Sequence, residues 1–244
     1  MARRRFFVPE VRRGEAELSG AEAEHLVRVL RAEPGQIYEL SDNQNLFLGE
    51  IVTARKSIVS FRIKEKLEPP PAGAAVTVAP ALIKFDRFEW LIEKATELGV
   101  NVIQPFEAAR SEHGLAQASQ KRLARWEKIA LEASQQSRRV HLPIIRPTVR
   151  LEKTLREDAL VRLFLDESPE ASQILSVLPA QRSAADRIAL LVGPEGGWTH
   201  EEREQAVQAG WLPCSLAQTL LRAETASVAA LAIIQAAWAV NKSN

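Results

Sequence analysis

The sequence predicts two parts in series, a small β-rich unit and a larger unit of the α/β class. Three observations carry this. The first 68 residues hold short apolar runs parted by polar turns. Pro69-Pro70-Pro71 then interrupts every periodic pattern, and beyond it apolar strands and amphipathic helices alternate to the end. The 244 residues, 46% hydrophobic and 26% charged, have the balance of an ordinary soluble globular chain. Such a length buries a core without disulfides or structural metal.

In the first unit, residues 4–8 form a β-type run with two adjacent phenylalanines. Ser19-Gly-Ala-Glu22 has the capping-box pattern and predicts a helix over 21–31, with His25, Leu26, Val29 and Leu30 facing inward. Pro34-Gly35 marks a turn. Strands are expected over 36–40, 46–52 and 58–65, the first two joined by the polar turn Ser41-Asp42-Asn43-Gln44. Short strands with tight turns predict a small β-barrel. Three successive prolines resist both helix and sheet pairing, so the domain break falls there, giving 1–71 and 72–244.

In the second unit a strand over 75–79 leads to a helix over 86–98. Phe88, Leu91, Ala95 and Leu98 form its core stripe, and Gly99 is its C′ residue. A strand over 101–105 and a long helix over 121–136 follow. Residues 161–165 and 188–192 are apolar runs of the kind found in parallel strands buried on both faces. Thr199-His-Glu-Glu202 is a second capping box, opening a helix that Gly210 closes. The last helix runs from about 224 to 240. It contains the longest uncharged run, 17 residues over 225–241, short of the roughly 20 that a spanning helix needs. It is therefore expected to be a buried helix, not a membrane span.

Several function classes drop out. One cysteine, Cys214, excludes a disulfide framework and multi-cysteine zinc sites, and suits a reducing cytoplasm. The opening MARRRFFVPEV lacks the apolar stretch and cleavage site of a signal peptide. His25, His113, His141 and His200 show no metal-ligand spacing, so no metal is expected. Without Gly-x-Ser-x-Gly, and with no histidine near Cys214, nucleophilic hydrolysis has no support. The five tryptophans are scattered and suit packing better than base stacking.

Lys plus Arg number 32 against 31 Asp plus Glu, which excludes a strongly basic, tail-type nucleic-acid binder. The charge is nevertheless uneven. Residues 121–150 hold eight basic side chains against Glu127 and Glu132, a local balance of +6, and the first unit carries Arg3-Arg4-Arg5. A solvated helix face explains one such block equally well. Two patches in two units favour the dense phosphate backbone of folded RNA. The candidate RNA contacts are Arg3, Arg4, Arg5, Arg28, Arg31, Arg122, Arg125 and Arg138.

The segment Val192-Gly193-Pro194-Glu195-Gly196-Gly197-Trp198-Thr199 ends an apolar strand in a Gly-rich turn before a capped helix. Glycines there allow close backbone approach and leave N–H groups free for a ligand. The spacing fits neither the phosphate loop with its Lys-Ser/Thr nor the Gly-x-Gly-x-x-Gly of dinucleotide folds, and a merely tight turn stays open as an explanation. A second segment, Leu221-Arg222-Ala223-Glu224-Thr225-Ala226, opens the last helix. Arg222 could hold Glu224, a phosphate or a developing negative charge.

VGPEGGWTHEE followed by LLRAETA resembles the SPOUT-class methyltransferases and, among them, the ribosomal RNA small subunit methyltransferase E family. HLVRVLR over 25–31, KATELGV over 94–100 and EASQQSRR over 132–139 resemble further family motifs in the same order. The resemblance covers essentially the whole chain. It implies an N-terminal PUA-like β-barrel, a C-terminal α/β domain threaded as a trefoil knot, a homodimer, and methylation of uridine N3 in 16S ribosomal RNA. The partner would be the small ribosomal subunit and the cofactor S-adenosylmethionine. Carried across, Leu165, Val192, Gly193, Glu195, Gly196 and Gly197 would bind the cofactor from one side, and Leu216, Leu221, Arg222 and Ala226 from the other. Ala217, Arg138 and Phe85 stand where the family commonly has glycine or a small residue. A ribose 2′-hydroxyl acceptor, or an assembly factor without turnover, are the alternatives.

Methyl transfer to N3 needs alignment, and stabilisation of the negative charge that spreads over O2 and O4 when the imide proton leaves. The candidates are Arg110 and Arg139, with Arg222 closer to the cofactor. Glu224 or Glu97 would take the proton, directly or through water.

Overall fold

The computed structural model describes residues 4–217 and 219–239. The chain divides into two compact units. One holds the chain up to Pro71 together with Leu131–Leu142; the other holds Ala72–Ala130 and the chain from Pro143 onward. The sequence reading left 131–142 with the second unit, whereas in the structure this segment packs with the first.

The first unit comprises β1 (Arg5–Phe7), β2 (Val11–Arg12), β3 (Glu15–Ser19), α1 (Gly20–Arg28), β4 (Ile37–Ser41), β5 (Leu46–Arg55) and β6 (Ile58–Leu67). They form one sheet in the order β1-β4-β5-β6-β3-β2, antiparallel except for the parallel pair β1 and β4. Its outer strands do not pair with each other among the described residues, so no closed barrel forms. β1 and β2 are three and two residues long and parted by Pro9, too short a run to complete a ladder. The β2–β3 hairpin went unread. Arg13 and Gly14 both take positive φ, +52° and +80°, the two-residue turn that matches strand twist.

Helix α1 is shorter than expected. Ser19 is its N-cap, but its side chain makes no capping bond; Glu22 instead accepts from Gln135 Nε2 at 2.7 Å. The helix ends at Arg28, so Val29 lies beyond it, 64% exposed, and His25 is exposed as well. Ala23 and Leu26 carry the buried face against Phe6, Leu18, Leu40, Val59 and Phe61.

Segment 131–142 is fastened to this unit by polar bonds. Arg5 is buried; it donates to Glu39 Oε2 at 2.9 Å and to the carbonyl of Arg138. Ser41 Oγ donates to Val140 O at 2.6 Å, and Leu142 N–H donates to Asn43 Oδ1 at 2.7 Å. Arg138 sits at φ +58°, a conformation glycine adopts freely.

The second unit runs through β7 (Ala75–Pro80), α2 (Phe85–Glu97), β8 (Val102–Ile103), β9 (Phe106–Glu107) and α3 (Leu115–Ser119). A 3-10 turn, Gln120–Arg122, leads into α4 (Leu123–Gln136), whose second half belongs to the first unit. Then come β10 (Ile144–Ile145), β11 (Val149–Arg150), α5 (Leu151–Thr154), β12 (Val161–Leu165), β13 (Ser172–Gln173) and α6 (Ile174–Val177). Last are β14 (Arg187–Val192), α7 (His200–Gln208), β15 (Leu212–Ser215) and α8 (Ala223–Ala239). No described helix is long and apolar enough to cross a membrane.

Seven strands form one parallel sheet in the order β10-β8-β7-β14-β12-β15-β13. Period-two alternation sends the central strand's side chains to two cores. Ile188, Leu190 and Val192 join α2 and α8 on one face; Ala189 and Leu191 join Phe106, Phe164 and Trp211 on the other. β14 and β15 lie on opposite sides of β12, so the chain crosses over β12 between them. Such a reversal leaves a crevice at the carboxyl ends of the strands, where open α/β sheets take their ligands.

Replacing Arg5 with Met is expected to cost about 2–4 kcal/mol, because Glu39 and a buried carbonyl lose their donor. A lower urea midpoint at unchanged slope would show it. Arg4→Met, at an exposed site, should change stability by less than about 0.5 kcal/mol.

Candidate functional site

The crevice is a cleft of about 920 Å³. Three strand ends open into it: Leu165 and Asp166 after β12, Val192 and Gly193 after β14, Cys214 and Ser215 in β15. The first turns of α2 and α8 contribute Arg87, Ala223 and Ala226, and Trp198 lies just ahead of α7. The first turns of α2 and α8 therefore lie on the wall of one cavity, and a helix N-terminus carries partial positive charge.

Trp198 shapes the loop over 193–198. Its indole is buried, stacks on Phe106 at 6.0 Å and meets Phe164 edge-on. Its Nε1–H donates to the Leu165 carbonyl at 2.7 Å, tying the loop to the end of β12. A Cβ on Gly193 would stand 2.8 Å from the ring, so any side chain there would have to push the indole aside. The turn closes with Gly197 N–H on the Pro194 carbonyl at 2.9 Å, and Gly197 takes φ +70°. The Thr199 capping box forms in full, and the buried Glu202 also accepts from Ala109 N–H at 2.8 Å.

Three guanidinium groups from different elements hold this loop. Arg87 pairs with Glu195. Arg110 Nη1 donates to the carbonyls of Gly196 at 2.9 Å and Trp198 at 3.4 Å. Arg203 donates to the Trp198 carbonyl at 3.0 Å while its Nε spans both oxygens of the buried Asp166, at 3.0 and 3.1 Å. Behind Asp166, burial and that carboxylate push the Cys214 thiol up to about 12.

The expected cofactor residues fall together. Leu165, Val192, Gly193, Glu195 and Gly197 line one side, and Leu216, Leu221, Arg222 and Ala226 the other. Gly196 is in the same loop but turns toward Arg110, whose Cβ lies 3.0 Å from where a Cβ on Gly196 would stand. The catalytic candidates separate. Arg222 is exposed at the mouth of α8 and lines the cleft. Glu224 is buried one residue beyond a lining position, and its Oε2 has no hydrogen-bond partner among the described residues. Arg110 is spent on loop carbonyls and is not on the cleft wall. Arg139 belongs to the first unit, where its Nε donates to the His141 carbonyl and burial lowers its guanidinium to about 10. Glu97 pairs with Lys94 on the surface of α2.

The expected RNA contacts fare unevenly. Arg3 lies outside the described residues. Arg5 is buried and ion-paired, which removes it from any binding surface. Arg4, Arg28 and Arg31 are exposed, Arg28 beside Glu24 at 3.9 Å. Arg122 and Arg125 share Glu89, and Arg122 also covers the Phe85 ring at 5.0 Å. Arg138 pairs with Glu39 at 3.8 Å. Sequence reasoning missed Arg87, Asp166 and Arg203. The signal for Asp166 was present, a carboxylate directly after a parallel strand; the arginines sit on helices with no motif to mark them.

Gly193→Ala should lower stability by about 1–3 kcal/mol through overpacking against Trp198. A shift in tryptophan emission, with an earlier thermal midpoint, would register it. With its thiol raised to about 12, Cys214 carries little thiolate at pH 8. Iodoacetamide should alkylate the folded protein on the order of 10²-fold more slowly than the guanidine-unfolded chain, and faster as pH rises.

Residues 70–235 match the family model described as RNA methyltransferase domain. The ribosomal RNA small subunit methyltransferase E of Bacillus subtilis is 33% identical over 229 residues, covering 89% of this chain and 88% of that one. The Synechocystis protein of the same name is 34% identical over 249 residues, covering 97% and 78%. The crystal structure of a ribosomal RNA small subunit methyltransferase E from Neisseria gonorrhoeae, bound to S-adenosyl methionine, superposes with a TM-score of 0.86 at 28% identity, covering 97% of this chain and 98% of that one. With likeness of sequence and fold running nearly end to end, the chain belongs to the ribosomal RNA small subunit methyltransferase E family.

Proposed function

We propose that the protein transfers a methyl group from S-adenosylmethionine to N3 of a uridine in 16S ribosomal RNA of the small subunit. The observation that carries this reading is the cleft where the 193–198 loop and the 216–226 segment meet at the carboxyl ends of β12, β14 and β15. Its volume lies within the range of small-ligand and cofactor sites. Its walls mix Leu165, Leu216 and Leu221 with charged Arg87, Glu195 and Arg222, which suits a ligand with an aromatic base at one end and charges at the other. The fit is good. Leu165, Val192, Gly193, Gly197, Leu216, Leu221 and Ala226 would hold the cofactor.

When bound, S-adenosylmethionine supplies a methyl group already activated by its sulfonium. What remains for the chain is alignment and charge. Arg222, on the cleft wall, would stabilise the negative charge on O2 or O4 of the base as the N3 proton leaves. Glu224, a buried carboxylate with an unpartnered oxygen, is the proton acceptor, directly or through one water. Arg110 acts through the loop that it holds.

The same reading takes the first unit as a PUA-like RNA-holding module, with the exposed Arg4, Arg28 and Arg31 as contacts. It takes the crossover of the last strands as part of a SPOUT-type trefoil knot, and the working enzyme as a cytoplasmic homodimer. Support comes from the family likeness over both units and from the order in which β12, β14 and β15 are laid down.

The test is transfer of labelled methyl to small subunits lacking the modification, followed by digestion to nucleosides. N3-methyluridine is the expected product, and Arg222→Gln should lower the rate on the order of 10²-fold. A 2′-O-methyl nucleoside would overturn the acceptor. Absence of transfer with intact subunit binding would make the protein an assembly factor.

A further inference from the structure

The cleft carries one ion pair that the proposed reaction does not use. Arg87, in the first turn of α2, pairs with Glu195 of the 193–198 loop, and both side chains line the cavity. They remain 32% and 38% exposed, so the pair bridges two walls at the opening and is not sealed in the core. The remaining charged side chains on the wall are Asp166, Glu167 and Arg222. Asp166 is buried and answered on both oxygens by Arg203. Glu167 is exposed with its carboxylate beside Gly197, and it is the same in every variant compared below, so its field cancels from the differences. Glu195 is thus a carboxylate on the cleft wall whose charge is balanced by a single removable partner.

That balance matters for a ligand whose charge changes during turnover. The methyl donor carries a positive sulfonium; the demethylated product has a neutral thioether in the same place and is otherwise unchanged. Shape cannot separate the two beyond one methyl group, but a fixed charge nearby can. An unpaired carboxylate would favour the donor, and an unpaired guanidinium would favour the product.

Resting on the reading that the cleft takes S-adenosylmethionine, we propose that the Arg87–Glu195 pair is a specificity determinant. It sets how far the site prefers the cationic donor over its neutral product, and it tethers the 193–198 loop to α2. The two single substitutions then act in opposite directions. Arg87→Gln exposes the Glu195 charge and raises the ratio of donor to product affinity. Glu195→Gln exposes the Arg87 charge and lowers it. Partly screened unit charges within about 10 Å give changes of roughly threefold to tenfold. Removing both groups cancels the electrostatic effect while the tether is still lost.

Calorimetric titration of the purified wild-type protein, Arg87→Gln, Glu195→Gln and the double variant with S-adenosylmethionine and with S-adenosylhomocysteine tests this without any turnover. The expected result is an affinity ratio that moves up in Arg87→Gln, down in Glu195→Gln, and back toward the wild-type value in the double variant, with both ligands bound more weakly there. Arg87→Lys, which keeps the charge, should keep the wild-type ratio. Single variants that weaken donor and product by the same factor would reduce the pair to a mechanical tether and overturn the proposal. Wild-type protein that binds neither ligand would instead overturn the reading of the cleft, and this inference with it.

Discussion

The bond from the Trp198 indole to the Leu165 carbonyl holds together two strand ends that are distant in sequence. Around it, Gly193 lies against the ring, Phe106 stacks beneath, and the backbone carbonyl of Trp198 collects donors from Arg110 and Arg203. The cleft takes its width from this arrangement. If the indole moved, the turn at 194–197 would lose its anchor to the end of β12. A single buried aromatic with one polar atom supplies both packing area and a directional bond, which an aliphatic residue of similar size could not.

Charge is handled by the same economy. Every arginine fastened to the 193–198 loop comes from a different segment, so the loop is triangulated from α2, from the stretch before α3 and from α7. Short glycine-rich loops lose much conformational entropy when fixed. Three cationic donors aimed at a carboxylate and two carbonyls offset that loss without filling the cavity with side chains. Cys214 and Asp166 on the cleft lining stay buried, while Arg87, Glu195 and Arg222 share the walls with the leucines and with backbone.

Much of this was legible in the sequence because it rests on local chemistry. The apolar runs at 161–165 and 188–192 became β12 and β14 almost residue for residue, and Thr199–Glu202 formed the capping box its spacing announced. The glycines of the first loop and Leu216, Leu221 and Arg222 of the second reached one cleft. What stayed hidden depends on partners far along the chain. Ser19 and Glu22 have the capping pattern, yet Glu22 turns to Gln135, more than a hundred residues away. Arg5 reads as one of three surface arginines and is instead buried against Glu39. Arg110 reads as a free cation, and only the fold shows it committed to backbone carbonyls. Trp90, grouped with the packing tryptophans, is 43% exposed.

Segment 131–142 gives the molecule a particular history during synthesis. The N-terminal sheet has all its strands once β6 has been made, but Arg5, Ser41 and Asn43 then still lack the carbonyls and amide they bind at Arg138, Val140 and Leu142. Those groups emerge only after β7, α2 and all of α4 have followed. A growing chain therefore carries its first unit unfinished while the opening elements of the second are already being laid down. The two units interleave in time as they do in sequence, so neither can be finished wholly before the other is begun.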